Sequence, residues 1–116
     1  MILGFKPQFV ESILSGVKIH TIREDELNRW KVGNKIHFAT RVRTKKQKQF
    51  YEDVCVSVQN IRFILEKIYV DGKKLERKET LVLAKNDGFN NVGELFDFFD
   101  WKDFEGKIIH WTNYLY

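Results

Sequence analysis

The chain has 116 residues, of which 43% are hydrophobic and 31% charged, enough for one packed core of ordinary globular composition. Lys and Arg number 20 against 16 acidic residues, a net charge of +4 that permits a polyanionic partner but is too sparse for a nonspecific nucleic-acid coat. The single cysteine, Cys55, excludes a disulfide framework and a cysteine-based metal site, and no apolar run approaches the roughly 20 residues of a membrane span.

Met1–Phe5 reads as a first strand. Pro7 opens a helix at its favoured first position, Phe9, Val10, Ile13 and Leu14 form its apolar stripe, and Gly16 ends it. Lys18–Arg23 then reads as a strand, with Ile19, Thr21 and Arg23 on one side and His20 and Ile22 on the other. Lys18, at its start, is long enough to curl toward either face. A lysine, a histidine, a hydroxyl and an arginine within six residues are more polar chemistry than packing alone needs.

Glu24–Asn34 is a polar connection containing Trp30, followed by a strand whose Ile36, Phe38, Thr40 and Val42 face one way. Thr44–Gln49 is a basic hairpin tip. Val54, Val56 and Val58 mark the buried face of a long strand, whose phase shifts to Ile61 and Phe63 through a bulge near Gln59-Asn60. Ile68 and Val70 lead into Asp71-Gly72, a two-residue hairpin signal. Glu76–Lys85 is a helix broken by Asn86-Asp87-Gly88-Phe89. Asn91 and Glu94 resemble a capping box for another, and Lys107–Thr112 is the last strand before Tyr114 and Tyr116. About six mostly antiparallel strands with three helices point to a single α+β domain over 1–116, with its sheet curled or closed into a small barrel.

Three sets of residues carry candidate chemistry, and each has a bland alternative. Lys18 can deprotonate the Thr21 hydroxyl if desolvated, with Asp87 moving protons; otherwise Lys18 is solvated, Thr21 merely suits a strand and Asp87 caps a turn. Arg23 can fork onto phosphate or carboxylate, or pair with Glu24, Asp25 or Glu26. Arg41, Arg43, Lys45, Lys46 and Lys48 suit a nucleic-acid backbone with Trp30 or Phe89 stacking a base, or else form a solvated loop. His20, His37 and His110 lack metal-ligand spacing, and no cofactor motif is present.

The stretch Gly16-Val17-Lys18-Ile19-His20-Thr21-Ile22-Arg23 resembles the G-x-K-x-x-T-I-R signature of ASCH domains, of the PUA-like superfamily. Trp30–Asn34, Ala84–Phe89 and Gly106–Trp111 are similar to further segments in the same order. The resemblance implies a small β-barrel with flanking helices and a cleft beside the signature strand that takes RNA or a modified nucleoside. One bacterial branch hydrolyses N4-acetylcytidine with a lysine, a threonine and a glutamate. Those roles would fall on Lys18, Thr21 and Asp87, the last one methylene shorter than the family's glutamate.

The expectation is therefore a cytoplasmic nucleic-acid- or nucleotide-binding module, without metal, cofactor or membrane. Its cleft would use Lys18, Thr21, Arg23, Trp30, Asp87 and Phe89, and its loop Arg41–Lys48 would track a phosphate backbone. The alternatives are an amidohydrolase with Thr21 as nucleophile, Lys18 as base and Asp87 as acid/base, and a protein-interaction adaptor using the aromatic tail Trp111–Tyr116.

Overall fold

A computed structural model describes residues 1–116. The chain order is β1 (Ile2–Phe5), a 3-10 turn (Pro7–Phe9), α1 (Val10–Leu14), β2 (His20–Arg23), β3 (Lys35–Thr40), β4 (Lys48–Val54), β5 (Ser57–Ile64), β6 (Lys67–Val70), β7 (Lys73–Lys74), α2 (Arg77–Asn86), α3 (Val92–Phe98) and β8 (Phe104–His110). The α+β class expected from the pattern is what forms. The strands make two sheets, β1-β3-β4 and β2-β8-β5-β6-β7, and no ladder closes them into one barrel. Only the β1–β3 pair is parallel.

There are eight strands rather than six, for two reasons. The long strand expected through Val54, Val56 and Val58 breaks at Cys55-Val56. Cys55 turns inward and its backbone bonds to Asn34, whereas Val54 and Val56 are exposed and Val58 is half-buried. The buried face of β5 is instead Gln59, Ile61 and Phe63, already in phase, so no bulge is needed at Gln59-Asn60. The register shift lies between Phe38 and Ala39, against β4. The second reason is β7, a two-residue strand returned by the Asp71-Gly72 turn, where both residues have positive φ (51° and 82°), as a type I′ hairpin requires.

The first helix is also shorter than its apolar pattern suggested. It starts as a 3-10 turn at Pro7; Phe9 and Ile13 are buried but Leu14 is exposed. Gly16 (φ 83°) ends it in a Schellman motif, with Gly16 N donating to Ile13 O and Val17 N to Ser12 O. Lys18 N also donates to Ser12 O, so the helix end aims the chain into β2.

Buried residues from both sheets and from α2 and α3 form one apolar cluster, in which Phe38 meets Trp111 edge-on (4.8 Å between ring centres). Cys55 belongs to it as a small core residue, and burial pushes its thiol pKa up. β1 and β2 are each the end strand of their sheet. The two edges do not pair with each other, and the gap between them is where the functional candidates gather.

Candidate functional site

The gap holds a cavity of about 240 Å³, lined on the β1 side by Gly4, Phe5 and Lys6 and on the β2 side by Thr21, Ile22 and Arg23. Lys18, Asp87 and the rings of Phe9, Phe89, Phe98 and Phe99 complete the wall. Drug-sized sites run to roughly 300–1,000 Å³, so this cavity suits one ring with small substituents. Arg23 spans the gap, its Nη2 donating to Gly4 O (2.7 Å) and its Nε to Thr21 Oγ1 (3.1 Å). Its guanidinium carbon lies 4.8 Å from the centre of the Phe5 ring.

Asp87 owes its position to the way α2 ends. Gly88 (φ 93°) takes the left-handed conformation after Asp87, Gly88 N donates to Lys85 O and Phe89 N to Ala84 O, another Schellman motif. A Cβ on Gly88 would sit 3.2 Å from Lys18 Cδ and from Phe9, so glycine also makes room for the lysine stem. The last carbonyls of α2 are taken up by the segment leading into β2. Ile19 N donates to Asn86 O (2.9 Å) and Lys18 Nζ to Asp87 O (2.6 Å). An ammonium at a helix C-terminus also complements the helix dipole.

Lys18 Nζ donates in addition to Asp87 Oδ1 at 2.9 Å, in an ion pair whose residues are 2% and 3% exposed. His20 Nδ1 lies 3.1 Å from the same oxygen, and His20 Nε2 lies 2.6 Å from the Tyr116 hydroxyl. Asn86 Nδ2 donates to that hydroxyl (3.0 Å), so the tyrosine proton is free to go to His20. The consistent assignment is a neutral imidazole that accepts at Nε2 from Tyr116 and donates from Nδ1 to Asp87.

Burial pushes the Lys18 ammonium below the ordinary lysine pKa, with Asp87 opposing, and burial likewise holds His20 below the ordinary histidine value. For Asp87, burial is the largest single influence and acts upward. The charge on Lys18 and the hydrogen bond from His20 together outweigh it, and the carboxyl stays ionised below its usual range. Oδ1 thus carries both side-chain partners, while Oδ2 has none and is not among the enclosed polar atoms. It is an open acceptor on the cavity wall.

Behind this group lies a second polar layer. Gln59 Nε2 donates to Asp71 Oδ2 (3.1 Å) and to Tyr116 O (2.9 Å); its Oε1 accepts from Tyr116 N (3.1 Å) and lies 3.0 Å from His110 Nε2. His20 and His110 are register partners across β2 and β8, with ring centres 5.3 Å apart. The next cross-strand pair, His110 with Ser57, leaves His110 Nδ1 and Ser57 Oγ enclosed without partners.

The structure therefore gathers Lys18, Thr21, Arg23, Asp87 and Phe89 around one cavity. It does not bring Trp30 there: that ring is buried in the apolar core, fixed by Trp30 N donating to Asp25 Oδ2 (3.0 Å). Phe5, Phe9, Phe98 and Phe99 supply the aromatic wall instead. Nor does Arg23 pair with Glu24, Asp25 or Glu26; no carboxylate lies within ion-pair distance of it. The strand expected to start at Lys18 starts at His20, and all of His20, Thr21 and Ile22 are buried, so its two faces do not divide into core and solvent. Arg41, Arg43, Lys45, Lys46 and Lys48 are exposed and line no part of the cavity. They do start beside it, since Phe5 pairs with Thr40 and a Cβ on Gly4 would touch Val42 Cγ2 at 2.9 Å.

His20, Asn86, Tyr116, Gln59 and His110 were absent from the sequence-based site. His20 lay inside the singled-out strand, yet its register partner and its hydroxyl donor are 90 or more positions away. The aromatic tail is not a free surface throughout. Trp111 is in the core and Tyr116 is tied to His20 and Gln59, although Tyr114 and Leu115 are exposed. No group of His, Cys, Asp and Glu side chains is arranged to hold a metal ion, and no helix is long and apolar enough to cross a membrane. No family model, no curated protein and no solved structure matches the chain.

Proposed function

We propose that the cavity between β1 and β2 binds a nucleobase, presented by RNA or by a modified nucleoside. The observation that carries this reading is one small aromatic-walled cavity whose only polar fittings are Lys18, Thr21, Arg23, Asp87 and, at its rim, Lys6. Phe rings offer faces for stacking, and the open Asp87 Oδ2 with the N–H groups of Arg23 offers a directional edge. The loop Arg41–Lys48, leaving the sheet next to Gly4, would follow the backbone of a longer RNA. The reading keeps an open, PUA-like barrel as its architecture, with two sheets sharing one core as its support. Its test is a titration of nucleosides and short RNA at two salt concentrations. Binding should fall by about tenfold or more in Asp87→Asn and should weaken with salt for RNA only. Affinity unaffected by Asp87→Asn would reject the cavity as the site.

A second reading, deacylation of N4-acetylcytidine-like nucleosides, is favoured by the meeting of Lys18, Thr21 and Asp87 on one wall and by the lowered Lys18 pKa. Here Thr21 Oγ would attack the acyl carbon, Lys18 would take its proton and return it to the leaving amine, and water would clear the acyl-threonine. It ranks second because Lys18 hydrogen-bonds Asp87 and not Thr21, whose oxygen accepts from Arg23 instead. A lysine held as an ammonium by a carboxylate is not a base. Turnover of N4-acetylcytidine that disappears in Lys18→Ala and Thr21→Ala and rises in Asp87→Glu would place this reading first. Absence of turnover in the parent and in Asp87→Glu removes it.

A further inference from the structure

The charges around the cavity do not balance. Lys6, Lys18 and Arg23 line it against one carboxylate, Asp87, whose Oδ1 is committed to Lys18 and His20 and whose Oδ2 is the one open acceptor. Arg23 is left as a largely buried guanidinium whose two hydrogen bonds go to neutral oxygens, the Thr21 hydroxyl and the Gly4 carbonyl. A guanidinium carries five N–H donors, so three of them meet no protein acceptor. Burial alone pushes the group below the ordinary arginine pKa, with only distant support from Asp87. Taking a cation out of water without an anionic partner is costly unless something repays it.

The neighbouring groups are donors too. Lys18 spends two of its three N–H groups on Asp87, and Thr21 accepts from Arg23 while its own proton has no acceptor. Lys6, at the rim, lies 5.0 Å from the centre of the Phe98 ring and makes no ion pair. The wall is therefore rich in unspent donors and positive charge.

We infer that the ligand of this cavity carries an oxyanion, a carboxylate or a phosphate, seated on Arg23 with Thr21 as second donor. The inference rests on the nucleobase reading only for the ring that accompanies the anion. It means that a nucleotide, or a ring acid, binds in preference to the corresponding neutral nucleoside or base. Arg23 is suited to it because its planar fork matches two oxygens, and because Gly4 O and Thr21 Oγ1 hold that fork in place before the ligand arrives.

The test compares matched pairs by calorimetry: uridine with uridine 5′-monophosphate, and uracil with its 6-carboxylate, orotate. Benzoate and phenyl phosphate serve as oxyanions without a base. The charged member of each pair should bind at least about tenfold tighter, the worth of one charge-assisted contact. That advantage should shrink below about threefold in Arg23→Gln and survive in part in Arg23→Lys, with thermal unfolding confirming that both variants fold. Orotate and the monophosphate together tell carboxylate from phosphate. If the aromatic oxyanions bind and no base or nucleoside does, the oxyanion seat stands and the nucleobase reading falls. Neutral members binding as tightly as charged ones, or an advantage that persists in Arg23→Gln, overturns the seat. So does failure of every oxyanion to bind.

Discussion

Two basic regions of this protein obey different physics. The loop Arg41–Lys48 is exposed, and its hydrogen bonds stay within the loop: Thr44 Oγ1 donates to Arg41 O and Arg43 N to Gln47 Oε1. Arg41 (φ 52°) and Arg43 (φ 66°) take left-handed turn conformations, and none of the loop's cations forms an ion pair. Lys18 and Arg23, by contrast, are drawn into the gap between two sheet edges, where each N–H needs a partner and every missing one has a cost. The loop's charges can act only on something outside the molecule. These two cations act first on the fold, through Asp87, Thr21 and Gly4, and the N–H groups they leave over are available to a ligand.

The sharpest way to break that contrast is to remove half of the buried Lys18–Asp87 ion pair. Lys18→Met or Asp87→Leu alone should cost about 3–5 kcal/mol, because each strands the other charge in the interior. The double variant should recover part of that loss, since both charges leave together while His20 Nδ1 still loses its acceptor. Chemical denaturation of the four proteins gives the cycle. Single losses under about 1 kcal/mol would mean that the pair is solvated.

Acid should act on the same side of the comparison. Burial lowers the His110 pKa from 6.5 to about 4, and His20 shifts in the same direction. Above pH 6.5 both folded and unfolded states hold a neutral His110, and no stability is lost. As pH falls through 6.5 the unfolded chain takes up the proton and the folded one does not until about 4, so stability drains across that window. The His110 share is roughly 3 kcal/mol, and His110→Gln should flatten the curve between pH 6.5 and 4. A loop variant should leave the curve unchanged.

Tyr116→Phe is a smaller cut. It removes the donor to His20 Nε2 and the acceptor for Asn86 Nδ2, and should cost about 1–2 kcal/mol. Tyr114→Phe, at an exposed ring with no hydrogen bond from its hydroxyl, is the control and should change stability by less than about 0.5 kcal/mol. Equal effects would dissolve the Tyr116–His20–Asp87 chain as a structural unit.

The same contrast decides what could be read without a structure. Local devices were legible because a few adjacent residues determine them: the Gly16 helix stop, the Asp71-Gly72 turn, the break within Asn86-Asp87-Gly88-Phe89. The β5–β6 hairpin was not, because its turn is Leu65-Glu66 with φ of 48° and 65°, conformations those residues rarely adopt. Val54, Val56 and Val58 misled because alternation gives a face but not whether anything covers it. In the site, Lys18, Thr21, Arg23 and Asp87 stood out as chemistry out of place. Trp30 did not belong because a tryptophan near polar residues is as good a core residue as a stacking platform. His110, Gln59 and Tyr116 enter through cross-strand register and a folded-back tail, contacts that span 51 to 96 positions and leave no local pattern.

The smallest effect on the fold comes from the loop, and it sharpens the comparison most. Neutralising Lys45, Lys46 and Lys48 to Gln should change unfolding stability by less than about 0.5 kcal/mol, since none of them has a side-chain partner to lose. If the loop follows an RNA backbone, the same variant should lower the dependence of log affinity on log salt by about 2, at roughly 0.7 per phosphate contact on a single strand. A mononucleotide seated in the cavity, which none of these three lysines lines, should bind parent and variant alike. That combination, unchanged stability, unchanged mononucleotide affinity and a reduced salt slope for RNA, assigns the loop to a partner and the cavity to its own ligand. A salt slope equal in parent and variant would take the loop out of the RNA path and leave its charge as a solvating surface.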